Sequence, residues 1–183
     1  MERALHIVVL DRSSVGEDVS VEPLKKYGEV TFHMTTKDEE AAERVKDADI
    51  IIVNKTPMNA DTLDGAGHLK LICEFATGFD NVDLDYCRKR GIPVVNVVNY
   101  STAAVAQHTI ACVLYILEKL RYYDDYVKSG AYGSQPRFSH FGLPYSELDG
   151  KTWGIVGMGN IGRKVAAIAE AFGCRVICFS ASG

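Results

Sequence analysis

A glycine motif, Gly157-x-Gly159-x-x-Gly162, constrains the fold of this chain more than any other sequence feature. An apolar, β-prone run at 153–156 comes directly before it, and a helix-forming segment at 163–172 follows. The glycines therefore stand where a strand turns into a helix, which is the context of a dinucleotide-binding fold.

Each position of the motif has a chemical reason. Gly157 allows a tight turn, Gly159 lets the backbone approach a pyrophosphate, and Gly162 lets the helix pack closely on the strand. The helix start, at Asn160 and Ile161, would offer free N–H groups and a partial positive charge to phosphates. A second β-like run at 175–179 completes the unit, while a glycine-rich turn without a ligand stays open as the alternative.

Composition limits the class of protein. The chain has 183 residues, of which 47% are hydrophobic and 24% charged, and this balance is typical of a globular protein. A net charge of -4 argues against a nucleic-acid partner. The apolar run at 5–10 is too short for a signal peptide or a membrane span, so we predict a soluble, cytoplasmic protein with no membrane partner.

Cysteine spacing argues against a metal site. The five cysteines are odd in number and contain no CxxC pair, which disfavours both a zinc site and a disulfide framework. Cys174 and Cys178 lie on one predicted strand, too far apart to bridge, and are predicted to be buried thiols.

The first hundred residues alternate between strands and helices. Strands separated by helices predict a parallel sheet with right-handed crossovers, and continuously apolar strands predict burial on both faces. Residues 1–100 are therefore predicted to form a flavodoxin-like or Rossmann-like α/β lobe. The β-like runs are 5–10, 30–34, 50–53, 69–75 and 94–97, and the helical stretches are 19–27, 37–46, 60–66 and 84–90.

The remainder, 101–183, reads as a linker, an arm and an incomplete Rossmann domain. One long helix is predicted over 102–122. The segment 123–146 mixes turn formers with aromatic residues and is predicted to be irregular; it either contacts a second subunit in a homodimer or packs on its own chain. Because only the first βαβ unit follows, we expect the chain to be a fragment of a larger protein.

Three further motifs carry a family resemblance. They are Ala-Thr-Gly-Phe-Asp-Asn-Val-Asp at 76–83, Asn-Tyr-Ser-Thr at 99–102 leading into Val-Ala-Gln-His-Thr at 105–109, and Leu-Asp-Gly-Lys-Thr at 148–152. With the glycine motif, they make the chain resemble the D-isomer-specific 2-hydroxyacid dehydrogenases, a family that includes glycerate dehydrogenases and hydroxypyruvate or glyoxylate reductases.

That resemblance implies roles for particular residues. The substrate, a small 2-keto or 2-hydroxy acid, would meet Thr77 and Gly78, whose loop holds its carboxylate on backbone N–H groups. Asn54 and Lys55 would line the same cleft, and Thr102 would face the cofactor. The family's catalytic Arg, His and carboxylate belong to a later segment, so no catalytic residue is expected here and the 183-residue chain alone is expected to be inactive.

Two smaller candidates have structural interpretations. His108 lies beside the predicted cofactor but matches a family histidine that is not the acid, so a structural role is predicted. Asp83 could pair with Asp80 as an acid site, yet its place before Leu84 favours a helix cap.

Cofactor choice depends on the end of the second strand. NAD-selective family members usually have an acidic residue there, and this chain has Ser180. Without a carboxylate to repel a 2′-phosphate, both NAD and NADP stay possible, with a lean toward dual or NADP use. A non-catalytic, dinucleotide-sensing corepressor of the same fold is the alternative function.

Overall fold

The computed structural model describes residues 3–180, in two compact units that divide between Val98 and Asn99. We call these unit 1 and unit 2 and describe each by itself.

Unit 1 is a five-stranded parallel sheet. Its strand order is β2-β1-β3-β4-β5, with every neighbouring pair parallel. This is the flavodoxin-like order: β2 is added on one side of β1, whereas β3, β4 and β5 are added on the other side, so the strand order switches between β1 and β3. The predicted parallel α/β fold is confirmed. The strands are β1 (Leu5–Val9), β2 (Gly28–Phe32), β3 (Ile50–Val53), β4 (Leu71–Glu74) and β5 (Val94–Val95).

The helices of unit 1 are α1 (Asp38–Val45), α2 (Ala60–Leu63) and α3 (Leu84–Arg90). The stretch predicted as helix at 19–27 contains instead a short 3₁₀ helix, Glu22–Lys26, and a second one is Arg12–Ser14. The predicted cap is confirmed, because the side chain of Asp83 accepts from the backbone N–H of Tyr86 at 2.9 Å.

Both faces of the sheet are covered, as the continuously apolar strands predicted. Val8, Ile51 and Ile72 belong to one buried cluster, whereas Ile7, Val9 and Ile52 belong to another. Neighbouring side chains of a strand point to opposite faces, so β1 and β3 each feed both clusters. The polar residues that follow β1 and β3 are consequently held at the carboxyl-terminal edge of a sheet that is packed on both faces.

Unit 2 contains a helical part and one βαβ unit. Its strands, β6 and β7, pair in parallel from Thr152↔Arg175 to Val156↔Phe179. Helix α4 packs on α7 around Ala106, Ile110 and Val165. The elements are α4 (Thr102–Leu117), α5 (Leu120–Lys128), α6 (Ala131–Ser134), β6 (Thr152–Val156), α7 (Asn160–Ala171) and β7 (Arg175–Phe179).

The single helix predicted over 102–122 is wrong. The chain breaks at Lys119, which adopts the left-handed conformation with φ 54°, and α4 and α5 meet at a 65° bend. No glycine or proline lies at this break, and the spacing of apolar residues continues past it. The sequence therefore predicted one helix in place of two. Helices α5 and α6 also extend into the segment that was predicted to be irregular at 123–146.

Within residues 3–180, no single helix is long and apolar enough to cross a bilayer, although the bent pair α4–α5 meets that length and composition requirement when taken together.

The prediction of buried thiols on the last strand is half right, because Cys174 is buried but Cys178 is exposed. Cys178 lies on β7, where Ile177 and Phe179 are also exposed.

Candidate functional site

In unit 1, the carboxyl ends of β1 and β3 are joined by a buried aspartate. Oδ2 of Asp11 accepts from the backbone N–H groups of Asn54 (2.9 Å), Lys55 (2.9 Å) and Thr56 (3.2 Å). Its Oδ1 accepts from the hydroxyl of Thr56 at 3.0 Å. The strand order of the sheet switches between β1 and β3, and folds with this strand order bind ligands at that position. Here the chain's own carboxylate takes up the N–H groups of the loop after β3.

These hydrogen bonds control the ionisation of Asp11. Burial by itself would raise its pKa, but donation from Lys55, Asn54 and Thr56 outweighs burial and lowers the pKa below its ordinary value. Asp11 is therefore a stable internal anion at neutral pH.

The loop after β4 presents the predicted substrate residues in exposed positions. The hydroxyl of Thr77 donates to the carbonyl of Val97 at 2.8 Å, and the carbonyl of Thr77 accepts from the amide of Asn96 at 2.7 Å. No acceptor within residues 3–180 takes up the backbone N–H of Thr77 or Gly78. A side chain at Gly78 would meet nothing closer than Asp80 at 3.8 Å, so the surrounding space is open. This loop therefore has free backbone donors, whereas the N–H groups of Asn54, Lys55 and Thr56 after β3 are all taken by Asp11.

A second carboxyl group is buried beneath these loops. Glu74, at the end of β4, is 2% exposed, and its Oε1 accepts from the amide of Asn81 at 2.9 Å. Burial raises the pKa of Glu74, and the charge of Asp11 adds to the rise, while the amide of Asn81 and the charge of Lys55 partly offset it. The two buried acids thus have pKa values displaced in opposite directions.

In unit 2, the glycine motif has the predicted geometry. Gly157 has φ 91°, a left-handed conformation that favours glycine, and its N–H donates to Phe179 at 2.8 Å. A Cβ on Gly162 would lie 2.2 Å from the carbonyl oxygen of Gly157, so helix and turn touch backbone to backbone. A Cβ on Gly159 would meet no atom within 4 Å. The space above Gly159 is therefore open.

The starts of α4 and α7 lie at the same end of unit 2. The amide of Asn160, the first residue of α7, hydrogen-bonds to the side chain of Asn99. Asn99 precedes Thr102, the first residue of α4, by three positions. Ile161 is 37% exposed on the first turn of α7. The predicted residues Thr102, Asn160 and Ile161 are thus gathered beside the glycine turn.

Ser180 lies at the same edge. It follows β7 directly, and the last residue of β7, Phe179, accepts the hydrogen bond from Gly157. The residue expected to choose between ribose hydroxyls and a 2′-phosphate is therefore adjacent to the turn expected to hold the pyrophosphate.

Sequence reasoning missed several residues of these sites. Asp11, Glu74 and Asn81 complete the edge of unit 1, and the guanidinium of Arg163 spans the glycine turn by donating to the carbonyl of Met158 at 2.8 Å. Asp11 directly follows the apolar run at 5–10, and Glu74 is the last residue of β4. An acidic residue at the end of an apolar strand is the sequence signal that could have identified both. His108 is exposed on α4, where its Nε2 lies 3.4 Å from the Sγ of Cys112.

Comparison with known proteins identifies the family. The catalytic-domain profile of the D-isomer specific 2-hydroxyacid dehydrogenases matches residues 7–180. A hydroxypyruvate reductase of Blautia hydrogenotrophica is 35% identical over 181 residues, which are 97% of this chain and 56% of that protein. The chain spans about half the length of the curated relatives it matches.

Two solved structures are also similar to this chain. D-lactate dehydrogenase from Aquifex aeolicus, complexed with NAD and lactic acid, is 33% identical with a TM-score of 0.76, and the match covers 94% of this chain and 50% of that one. An acyclic imino acid reductase, Bsp5, in complex with NADPH and D-Arg, is 27% identical with a TM-score of 0.79, over 95% of this chain and 55% of that one. On this evidence the chain belongs to the D-isomer specific 2-hydroxyacid dehydrogenase family.

Proposed function

We propose that this chain supplies the substrate-binding lobe and the first part of the cofactor-binding lobe of an NAD(P)-dependent D-2-hydroxyacid dehydrogenase. Its reaction would reduce a small 2-keto acid, such as hydroxypyruvate or glyoxylate, to the D-2-hydroxy acid. The observation that carries the proposal is the glycine turn of unit 2, with backbone contact at Gly162 and open space at Gly159. The names of the matched relatives favour an enzyme over the corepressor alternative.

In unit 1, the carboxylate of the substrate would bind at the loop of Thr77 and Gly78. Two observations support this choice over the loop after β3. The N–H groups of Asn54, Lys55 and Thr56 already donate to Asp11. Those of Thr77 and Gly78 donate to no acceptor in the described part of the chain. Asn54 and Lys55 would then contribute their side chains, with the cation of Lys55 attracting the anionic substrate.

In unit 2, the residues present fit a dinucleotide. The N–H groups at the start of α7, near Asn160 and Ile161, would bind the pyrophosphate, and Gly159 would let it approach. Thr102 would contact the cofactor from the start of α4. A bound nicotinamide cofactor would supply the hydride, while a solvent-exchangeable proton goes to the carbonyl oxygen of the keto acid.

Ser180 would determine the choice between NAD and NADP. A hydroxyl, unlike a carboxylate, does not repel a 2′-phosphate, so we propose dual use of NAD and NADP or a preference for NADP. The matched structures contain both kinds of cofactor, NAD in the lactate dehydrogenase and NADPH in the imino acid reductase.

A homodimer through the 123–146 arm and a cytoplasmic location belong to the same proposal. The arm is partly packed on itself, since the rings of Tyr126 and His140 stack at 3.7 Å. Two of its aromatic side chains are left in solvent, Phe138 at 92% and Phe141 at 86% exposure. Exposed aromatic side chains of this kind are typical of subunit contacts.

The test is an assay with protein expressed from the complete reading frame, in parallel with the 183-residue chain. Oxidation of NADH or NADPH is followed at 340 nm with hydroxypyruvate and with glyoxylate. We expect turnover by the complete protein and none by the 183-residue chain, because the acid and base groups that the family uses are not among the candidate residues here. A complete protein that reduces neither acid with either cofactor would refute the proposal.

A further inference from the structure

Glu74 is a buried acid that the proposed reaction does not use. Its Oε1 accepts from Asn81, but its Oε2 is buried and has no hydrogen-bond partner within residues 3–180. An ionised carboxylate with one unpaired oxygen is costly to bury, so this environment favours the neutral acid.

Asn81 connects Glu74 with the loop after β3. The side-chain amide of Asn81 also donates to the backbone carbonyl of Thr56 at 3.1 Å. The backbone carbonyl of Asn81 accepts from the backbone N–H of Met58 at 2.8 Å. Thr56 is bound in turn to Asp11. A continuous set of hydrogen bonds therefore joins the ends of β1, β3 and β4. We call Glu74, Asn81 and Thr56 the Glu74 link.

We propose that Glu74 is a positioning residue which, through Asn81, holds the loop at 54–56 and the loop at 77–78 at the spacing needed to reach one substrate. This inference rests on the proposed function for its meaning, because it assumes that both loops serve the same ligand. The link runs directly between them: Thr56 ends the first loop, and Glu74 and Asn81 flank the second.

The link should depend on pH. The charged groups that act on Glu74 are Asp11, from the end of β1, and Lys55, from the loop after β3. Ionising Glu74 would add a second negative charge to the buried region that already holds Asp11. Ionisation would strengthen acceptance from Asn81 but would leave an uncompensated charge beside Asp11, so the geometry of the link should change as pH rises through the folded-state pKa. Because burial raises that pKa above the unfolded value, the folded state loses stability as pH rises between the two values.

The test is nuclear magnetic resonance on the isotope-labelled chain. The side-chain carboxyl ¹³C of Glu74 and the backbone amides of Asn54, Lys55, Thr77 and Gly78 are followed over the whole pH range in which the chain stays folded. We expect the carboxyl and the amides to titrate with one midpoint. In Glu74→Gln, which keeps an acceptor for Asn81 without the charge, the amides should stay near their low-pH positions throughout.

Two control variants exclude other sources of titration. Glu29→Gln removes an exposed acid from β2 of the same sheet, and Asp80→Asn removes an exposed acid close to the second loop. Both should leave the common midpoint unchanged. Loop amides that do not follow Glu74, or that titrate equally in Glu74→Gln, would overturn the inference.

A glyoxylate titration, read from the amides of Thr77 and Gly78, separates positioning from the proposed function. At a pH below the midpoint of the Glu74 carboxyl, we expect Glu74→Ala to weaken binding at least fivefold and Glu74→Gln to restore it. Equal affinities in wild type, Glu74→Ala and Glu74→Gln would overturn the positioning role while the proposed function stands. Absence of binding in all three would count against a substrate site at Thr77 and Gly78, and the pH titration would then decide the link by itself.

Discussion

Replacing Asp11 by Asn is the perturbation with the most calculable effect. The carboxylate accepts four hydrogen bonds and is 6% exposed. A hydrogen bond to a charged group contributes about 1.5–3 kcal/mol and a neutral one about 0.5–1.5, so each bond weakens by about 1 kcal/mol when the charge is removed. For the three N–H donors this sums to about 3 kcal/mol, and relief from burying a charge reduces the net loss to about 2–3 kcal/mol.

The assay is hydrogen–deuterium exchange of peptides from β1 and β3. At 1.4 kcal/mol for each factor of ten, the protection of these peptides should fall by about 30- to 150-fold in Asp11→Asn. Asp18→Asn, which changes an exposed aspartate, is the matched control and should have almost no effect. Loss of protection that is less than about threefold, or no larger than in the control, would refute the role given to the carboxylate.

The same carboxylate predicts a pH dependence. Because hydrogen bonds lower its folded-state pKa, its contribution is present above the unfolded value of about 3.9 and is lost as pH falls through the folded value. The stability difference between wild type and Asp11→Asn, measured by urea unfolding, should therefore shrink below about pH 4.

Further predictions concern the glycines and cofactor choice. Gly162→Ala should destabilise the fold by about 1–3 kcal/mol in thermal unfolding, because its Cβ would clash with the backbone of Gly157; an unchanged melting temperature would contradict this contact. Gly159→Ala should leave the fold intact yet weaken NADH binding by the complete protein at least tenfold in calorimetry, and equal binding would exclude Gly159 from the site. Ser180→Asp should shift the ratio of kcat/KM toward NADH over NADPH at least tenfold, whereas an unchanged ratio would remove Ser180 from cofactor choice. Gly78→Ala should raise KM for the keto acid without changing the melting temperature, and a normal KM would move the substrate away from this loop.

The sequence predicted the fold well wherever one local signal decided the structure. The strand β3 and the helix α3, which ends just before Gly91, have the expected bounds, since each combines a clear hydrophobic pattern with a clear boundary residue. It failed at Lys119, where a residue without any special preference takes a left-handed conformation. The spacing of apolar residues, on which the prediction of one helix rested, contains no signal for such a break.

The candidate sites show the same division. The glycine turn could be predicted because the steric reason for each glycine follows from the spacing of the motif along the sequence. The close backbone contact predicted at Gly162 is confirmed. The roles of Asn54, Lys55, Thr77 and Gly78 stay predictions. The buried acids were missed because their meaning depends on partners 43 or more residues away for Asp11, and on Asn81 for Glu74. Spacing along the chain does not show which N–H groups converge on a carboxylate.

The position of Trp153 has a practical consequence. It is the only tryptophan in the sequence, and it lies on β6 against the α4–α7 cluster of unit 2. Emission excited at 295 nm therefore comes from unit 2 alone, whereas the tyrosines of unit 1 contribute nothing at that wavelength. Comparing this emission with the far-ultraviolet dichroism of both units would show whether they unfold together or one after the other, without any engineered label.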